Sequence, residues 1–491
     1  MPQVEPRIQN TETLLSTGNI RGRRAVLEIL EAGLQASDPY GNTRKLVRIE
    51  NGRLVVGNKD FEPLGSPRTG DEVYELSETG NIYVFGAGKG IQRVAKAIED
   101  ILGDRLTGGH VIDKKGHPVI LERIGVTLGG HPAPDADCAT GCQRILEMAR
   151  GLTEKDLVFT CAGNGVSSLL TMPAPGLSID DLSRTTYLTQ IERGMPTGDL
   201  CPIRNHLDMM KGGRISRYIH PAKMVHILAI DPGDYQQLMH QNRWLHTLPD
   251  CTTYQMAIES LKRADAWDAV PEAVRNHLEA SDPKYETVKA EEFERMSFRI
   301  FGVMPGYWQS GMLPPAMNRC RELGFRPVLL TDRMGHVEAS QAGLYMATIA
   351  RTIERSGQPF EPPCVLFSHG EFVVTVGNEP GIGGRNQEFT LSAAPGIEGS
   401  ENIVIGSVDT DGTDGPGDQF AERPVGIPCL AGGIVDGRTV ELARRRGIDL
   451  AGALKRHDTT PALWALDSGI VATPNISLND LSVALIIGSG E

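Results

Sequence analysis

The densest run of chemistry-bearing residues lies between residues 381 and 418: GIGGRNQEF, a stretch of small and apolar residues at helical spacing, then NIVIGSVDTDGTDGPGD. Glycines 381, 383 and 384 leave the backbone able to fold tightly against a ligand. They set one guanidinium, Arg385, beside the amide of Asn386 and the carboxylate of Glu388. Asp409, Asp411 and Asp414 follow, interleaved with Gly412 and Gly415, on a turn after the β-branched run 403–405. An arginine beside three aspartates suits an anionic, metal-associated substrate such as a nucleotide or a phosphorylated acid. Any one of these acids reads as well as part of a solvated Asp/Gly turn; the combination carries the functional reading.

A second set lies in the first half. Residues 82–85 read as a buried strand entering Gly86-Ala87-Gly88-Lys89-Gly90, with an amphipathic helix directly after. Such a turn presents backbone N–H groups and a partial positive charge to an anion, and Lys89 adds a full one. It is not a Walker A loop, and Gln92 stands where the dinucleotide fingerprint has a third small residue. Gly163-Asn164-Gly165, followed by Ser167 and Ser168, forms a second backbone nest of the kind that wraps phosphate oxygens. Arg204, His206, Lys211 and Arg214 crowd around Gly212-Gly213, which reads equally as an anion contact or a solvated basic face. His131 and Asp135 sit on a Pro-broken loop, and Asp231 and Asp234 flank a Pro-Gly turn.

The elements that must position these groups alternate between strand and helix. Residues 20–34 have helical spacing, and Asn51-Gly52 between two β-branched runs is a short-hairpin signature. Two strand–glycine–helix units, at 82–102 and 156–170, point to a parallel sheet with ligand loops on one edge. A second strand-rich part starts near 298 and again places its acids and glycines at strand ends. The expected division is an N-terminal domain over 1–290, with a helical connector or lid near 250–295, and a C-terminal domain over 291–491. Residues 1–20 read as a poorly ordered or partner-clasping arm.

The chain has 491 residues, ample for two or three buried cores. A net charge of −13 argues against nucleic acid or an anionic membrane as the main partner, while leaving room for a locally basic cleft. Eight scattered cysteines and no run of the roughly 20 apolar residues a membrane span needs point to a reduced, cytoplasmic protein. Self-association into a homo-oligomer is compatible with this composition.

In order, the turn 86–90, His-Pro-Ala-Pro-Asp (131–135), the nest ending in Leu169-Leu170, Lys-Gly-Gly-Arg (211–214), Gly-Gly-Arg-Asn-Gln-Glu (383–388), Asp-Gly-Thr-Asp-Gly-Pro (411–416) and Asn-Asp-Leu (479–481) form a recognisable series. The chain resembles the class II glycerate 2-kinases, built from an N-terminal glycerate-kinase domain and a C-terminal MOFRL domain. The resemblance implies two α/β domains with largely parallel sheets facing an interdomain cleft. It also implies ATP and Mg²⁺ as cofactors and transfer of a phosphoryl group to the 2-hydroxyl of D-glycerate. The family's catalytic lysine and arginine map onto Lys89 and Arg385.

On this reading Gly163, Asn164, Gly165, Ser167 and Lys211 contact the nucleotide. His131, Arg204, Asn386 and Glu388 contact the small hydroxy acid, Asp409, Asp411 and Asp414 hold the metal, and Asp231 or Asp234 accepts the hydroxyl proton. Three loops depart from the family pattern, at 162–170, 242–247 and 473–478. Two other readings use the same cations to bind a carboxylate: a non-kinase isomerase or hydrolase acting on a sugar acid, and a catalytically silent metabolite sensor. A hydroxypyruvate reductase is disfavoured because the 86–92 turn lacks the full dinucleotide fingerprint.

Overall fold

The structure, a computed structural model, describes residues 6–304, 311–377, 379, 381–420, 424–475 and 479–488. Its contacts divide the chain into two units, Asp38–Pro305 and Met1–Ser37 with Gly306–Glu491.

The unit from Asp38 opens with the hairpin the Asn-Gly pair predicts: β1 (Val47–Glu50) and β2 (Arg53–Val56) pair antiparallel, and β3 (Glu72–Glu75) adds to β2. Asn51 and Gly52 both take positive φ, 50° and 81°, as a two-residue hairpin turn of the primed type demands. The main sheet comprises β4 (Ile82–Ala87), β5 (Gly108–Lys114), β6 (Gly125–Gly129), β7 (Leu157–Ala162), β8 (Lys223–Leu228) and β9 (Phe298–Gly302). They lie in the order β6-β5-β4-β7-β8-β9, all parallel. The chain leaves β4 to one side for β5 and β6 and returns to the other side for β7, so the order reverses between β4 and β7. In open α/β sheets, ligands bind beyond the C-terminal strand ends at such a reversal. Both glycine turns, 86–90 and 163–165, stand there.

Residues 250–295 carry the expected helices, Tyr254–Arg263 and Glu272–Ala280, and these are packed into the first unit. Tyr254, Ala257, Leu261, Val274 and Leu278 of that stretch share a core with Leu182, Leu200, Ile203 and Leu207.

The second unit is built on β10 (Arg326–Glu338), β11 (Cys364–Val373), β12 (Ile403–Asp409), β13 (Gly432–Asp436), β14 (Gly469–Ile470) and β15 (Asp480–Ile486), in the order β10-β11-β15-β12-β13-β14. Only β10 and β11 pair parallel; β15 runs antiparallel between β11 and β12, and β13 and β14 continue antiparallel. The expectation of largely parallel sheets thus holds for the first unit and not for this one. The last strand enters the middle of the sheet, a placement that β-branched composition alone does not specify. The helix Arg385–Ala393 is buried from Asn386 onward.

The boundary also differs from the expected one at both ends. The helix Ile20–Ala36 packs on β12 and β15 of the second unit. Val404 Cγ2 lies 2.6 Å from where a Cβ on Gly22 would stand, and Leu481 Cδ2 lies 2.6 Å from that of Gly33. The two glycines are what let this helix lie so close to the sheet. Conversely, β9 closes the first sheet, so the strand at 298 is not the start of the second unit. The N-terminal arm is packed from residue 6 onward: Ile8 is buried and bridges Ala472, and Gln9 N–H donates to the carbonyl of Val471 at 2.8 Å. Residues 1–5 of that arm, and 476–478 of the altered last loop, lie outside the described residues.

Candidate functional site

At the strand-order reversal the two glycine turns are pressed together. The N–H of Lys89 donates to the carbonyl of Asn164 at 2.8 Å, and Gly163 N–H donates to Ala87 O at 3.3 Å. Gly165 has φ +82°, and a Cβ there would stand 2.9 Å from Lys89 Cγ and 3.2 Å from the His131 ring. Lys89, Gly165 and His131 are thus brought to one spot from three loops. No side chain other than hydrogen fits between the two larger ones.

The turn after β4 is not the open anion cradle its glycines suggest. Gly88 N–H donates to Ile112 O, and Gly90 N–H is held by Asp113 Oδ1 at 2.9 Å. Asp113 is buried, accepts also from Gln92 and faces His117, and so anchors the turn to β5. A turn supported in this way holds its shape but offers few amides; charge at this point comes from Lys89.

Ser167, on the helix after the nest, has its Oγ 2.8 Å from Nε2 of His246. His246 comes from the altered 242–247 loop, which Asn242 shapes by donating to the carbonyls of Leu245 and Pro249. Burial, then the charges of Lys211, Arg204 and Arg214, hold this imidazole neutral, well below its ordinary range. Among the described residues its Nδ1 has no hydrogen-bond partner, and none offers the carboxylate that orients the ring of a hydrolytic serine–histidine pair.

Lys211 is buried, and its Nζ donates to Asp208 Oδ2 at 2.5 Å and Thr171 Oγ1 at 2.7 Å. Asp208 also accepts the N–H groups of Met172, Met210 and Lys211. This lysine is therefore mainly an internal cross-link, not a free nucleotide contact. Arg204 is partly buried and donates to the Gln190 side chain. Asp234 accepts Gln237 N–H at 3.0 Å as the cap of the helix Tyr235–His240, and Asp231 accepts Gly233 N–H. Asp234 is thus a helix cap, while Asp231 braces the Pro232-Gly233 turn at the end of β8.

In the other unit Arg385 begins its helix and makes four hydrogen bonds to three carboxylates. Its Nε lies 2.9 Å from both oxygens of Asp480, Nη2 2.7 Å from Asp409 and Nη1 3.0 Å from Glu371. Burial opposes its charge, but Asp480, Asp409 and Glu371 outweigh that and hold it protonated well above its ordinary range. Asp480, at the start of β15, was legible only as the acid of the Asn479-Asp480-Leu481 motif. Its role as the main partner of Arg385 needed the antiparallel insertion of that strand.

The other candidates on this helix face inward. Asn386 donates to Asp414 and to Asp480 and accepts from Ser407, with no exposed surface. Glu388 pairs with His457 at 2.6 Å, and burial raises its pKa. Neither is placed to touch a substrate. Asp414 accepts the N–H groups of Asn386 and Gln387, capping the helix; burial, opposed by Arg385, lifts its carboxyl to about 6.

The expected aspartate trio is therefore divided. Asp409 faces Arg385, Asp411 accepts Thr413 N–H and Oγ at 2.8 Å, and Asp414 is a helix cap. Among the described residues no group of three His, Cys, Asp or Glu side chains is gathered to hold a metal. Mg²⁺, however, uses one or two carboxylates with water and phosphate oxygens. Asp409 and Asp411 stand on one turn, with Asp411 N–H donating to Asp409 Oδ1 at 3.1 Å, and supply hard carboxylate oxygens of the type and number that Mg²⁺ takes.

Residues 25–279 match the model of a domain of unknown function, DUF4147, and residues 364–477 match the MOFRL family. The chain is 32% identical over 467 residues to the glycerate 2-kinase of Pyrococcus horikoshii, spanning 94% of this chain and 97% of that one. It is 30% identical over 439 residues to the D-glycerate 2-kinase of Thermotoga maritima, spanning 88% and 97%. Among solved structures, a glycerate kinase from Thermotoga maritima matches with a TM-score of 0.67 at 26% identity, covering 96% of this chain and all of that one. A Pyrococcus horikoshii protein matches at 0.63 and 30%, covering 95% and 99%. Motif order, the two family models and similarity along nearly the whole of both relatives agree: the chain belongs to the glycerate 2-kinase family.

Proposed function

We propose that the protein transfers the terminal phosphoryl group of ATP to the 2-hydroxyl of D-glycerate, giving 2-phosphoglycerate and ADP. The observation that carries this reading is the convergence of Lys89, His131 and Gly165 at the strand-order reversal, in a chain similar to glycerate 2-kinases over most of its length. Phosphoryl transfer asks little covalent chemistry of a protein. It asks for positioning and for positive charge over the transferring group. Lys89 supplies that charge beside the 163–165 turn, with Asn164 and Gly165 shaping the backbone against which phosphate oxygens rest. His131, on the facing loop, contacts the acid.

In the other unit Arg385 is held in one orientation by three carboxylates, so its fork is preorganised for the developing charge. Of the three aspartates, Asp409 and Asp411 would hold Mg²⁺, which when bound neutralises charge on the phosphates, while Asp414 caps its helix. The free state of all eight cysteines accords with a cytoplasmic site of action. No helix of the described residues is long and apolar enough to cross a membrane.

The test is coupled ADP release with D-glycerate, ATP and Mg²⁺, followed by phosphorus NMR of the product. ADP formation dependent on glycerate, with phosphate on carbon 2, is the expected result. Turnover of a sugar acid without ATP would overturn the assignment in favour of an isomerase or hydrolase.

A further inference from the structure

The connection between β5 and β6, residues 115–124, contains neither strand nor helix, and such segments are ordinarily the more mobile parts of an α/β sheet. Here side chains of the helix Gln92–Leu102, which follows the Lys89 turn, take up its backbone groups. Gln92 Oε1 accepts Ile120 N–H at 2.9 Å, and Gln92 Nε2 donates to the carbonyl of Pro118 at 2.9 Å. Two turns along the same helix face, Glu99 accepts the N–H groups of Glu122, Arg123 and Ile124. Backbone donors satisfied in this way fix a segment that has no strand ladder of its own.

The same connection grips two of the loops that meet at the strand-order reversal. Just before it, the buried Asp113 accepts Gly90 N–H at 2.9 Å and Lys114 N–H at 2.7 Å, so its carboxylate seats the residue next to Lys89. Lys115 N–H donates to Gly129 O at 3.0 Å, and its Nζ lies 2.6 Å from both Asp135 and Asp137. Asp135 closes the His131 loop, because its Oδ1 accepts the N–H groups of Asp137 and Cys138 as the cap of the helix Ala136–Ala149. On its other side that loop is held by Ser168, just past the glycine nest, whose Oγ donates to Gly130 O at 2.9 Å. The nest in turn holds the Lys89 turn through Asn164 O. The contacts therefore form a closed ring: Lys89 turn, nest, His131 loop, β5–β6 connection, and back to the Lys89 turn.

We propose that Asp113 and Lys115 are positioning residues of this site, Asp113 for Lys89 and Lys115 for His131, and that the β5–β6 connection between them sets the spacing of those two side chains. Each acts through the loop it holds. Lys89 supplies charge to the transferring group, so an error in its position falls on turnover; His131 contacts the acid, so an error there falls on KM for glycerate. That division of effects rests on the kinase reading. The ring itself rests on its hydrogen bonds alone.

The experiment compares wild type with Asp113→Asn, Lys115→Ala and Lys115→Arg. Each is followed by ADP release with D-glycerate, by thermal melting, and by hydrogen–deuterium exchange resolved over residues 86–92 and 130–138. Asp113→Asn should lower kcat by about ten- to a hundredfold, with KM for glycerate little changed, and speed exchange over 86–92. Lys115 is half exposed, so its variants should melt as wild type does. Lys115→Ala should raise KM for glycerate about threefold to fivefold with little change in kcat, and speed exchange over 130–138. Lys115→Arg keeps the ion pairs and should recover the wild-type KM. Wild-type KM and exchange in Lys115→Ala would overturn the role of Lys115. An Asp113→Asn variant that alters melting but not kcat, or that alters kcat and KM alike, would overturn that of Asp113. Should this variant fail to fold, Gln92→Met, which removes a single donor to Asp113, carries the same test. If wild type releases no ADP with glycerate, the kinase reading falls, and exchange still decides the ring: unchanged rates over both segments in both variants would overturn it.

Discussion

Arg23 and Asp436, 413 residues apart in the chain, meet as a fully buried ion pair, Nε to Oδ2 at 2.5 Å. The same carboxylate oxygen accepts Asn19 N–H at 3.0 Å, and the Arg23 guanidinium also reaches Leu14 O and Ser468 Oγ. The segment before residue 37 is thereby locked to the sheet formed by the end of the chain.

Breaking that lock should be costly, because the surviving partner stays buried without its counter-charge. Arg23→Ala is expected to destabilise the unit carrying β12 and β15 by about 3–5 kcal/mol. Urea unfolding followed by tryptophan fluorescence measures it; a loss below about 1 kcal/mol would show that the pair contributes little.

Gly165→Ala tests the convergence at the glycine turns. The residue sits at φ +82°, where an L side chain is strained, and the added methyl meets Lys89 Cγ at 2.9 Å. Backbone strain of about 1–2 kcal/mol should lower the melting temperature modestly. The larger effect should be on turnover, with a fall of about a hundredfold as the amine is pushed aside. Unchanged kcat with an intact fold would separate Lys89 from the chemistry.

Arg385 offers a charge-versus-fork comparison. Arg385→Ala should lower kcat by roughly a hundredfold or more through loss of a preorganised charge. It also leaves Asp409, Asp480 and Glu371 to repel one another. Arg385→Lys keeps the charge but not the four hydrogen bonds, and should fall between the two. Equal activity in all three proteins would remove Arg385 from the reaction.

Stability should decline as pH falls below about 6.5, and two histidines say why. Burial lowers His226 to about 3; burial, with Arg144 nearby, lowers His110 to about 4. Between those values and the ordinary histidine value, the unfolded chain takes up protons that the folded chain refuses. Each such group therefore removes about 1.4 kcal/mol of stability per pH unit lost. His226→Phe, beside the Phe293 and Phe298 rings, should make the decline between pH 6 and 4 shallower. An unchanged slope would show that His226 already accepts a proton in the folded state.

Local sequence alone determined the elements whose cause is local. Positive φ at a two-residue turn needs Asn-Gly, so the hairpin at 51–52 was legible, as were the helix from residue 20 and both strand–glycine–helix units. Residue types also marked Lys89, the 163–165 turn and Arg385 as the candidates on which the proposed chemistry rests. Only the tertiary structure decided which sheet each piece joins, because an amphipathic helix or a β-branched strand states that it has a buried face and not what covers it. The helix 20–36 thus belongs with β12 and β15, and the strand at 298 with β8.

The same limit governs the site. Asp414, Asn386, Glu388 and Lys211 resemble free polar groups in the sequence, yet folding gives each a buried partner. A side chain's freedom to act depends on which neighbours have already taken its hydrogen bonds, and those neighbours are set by the fold.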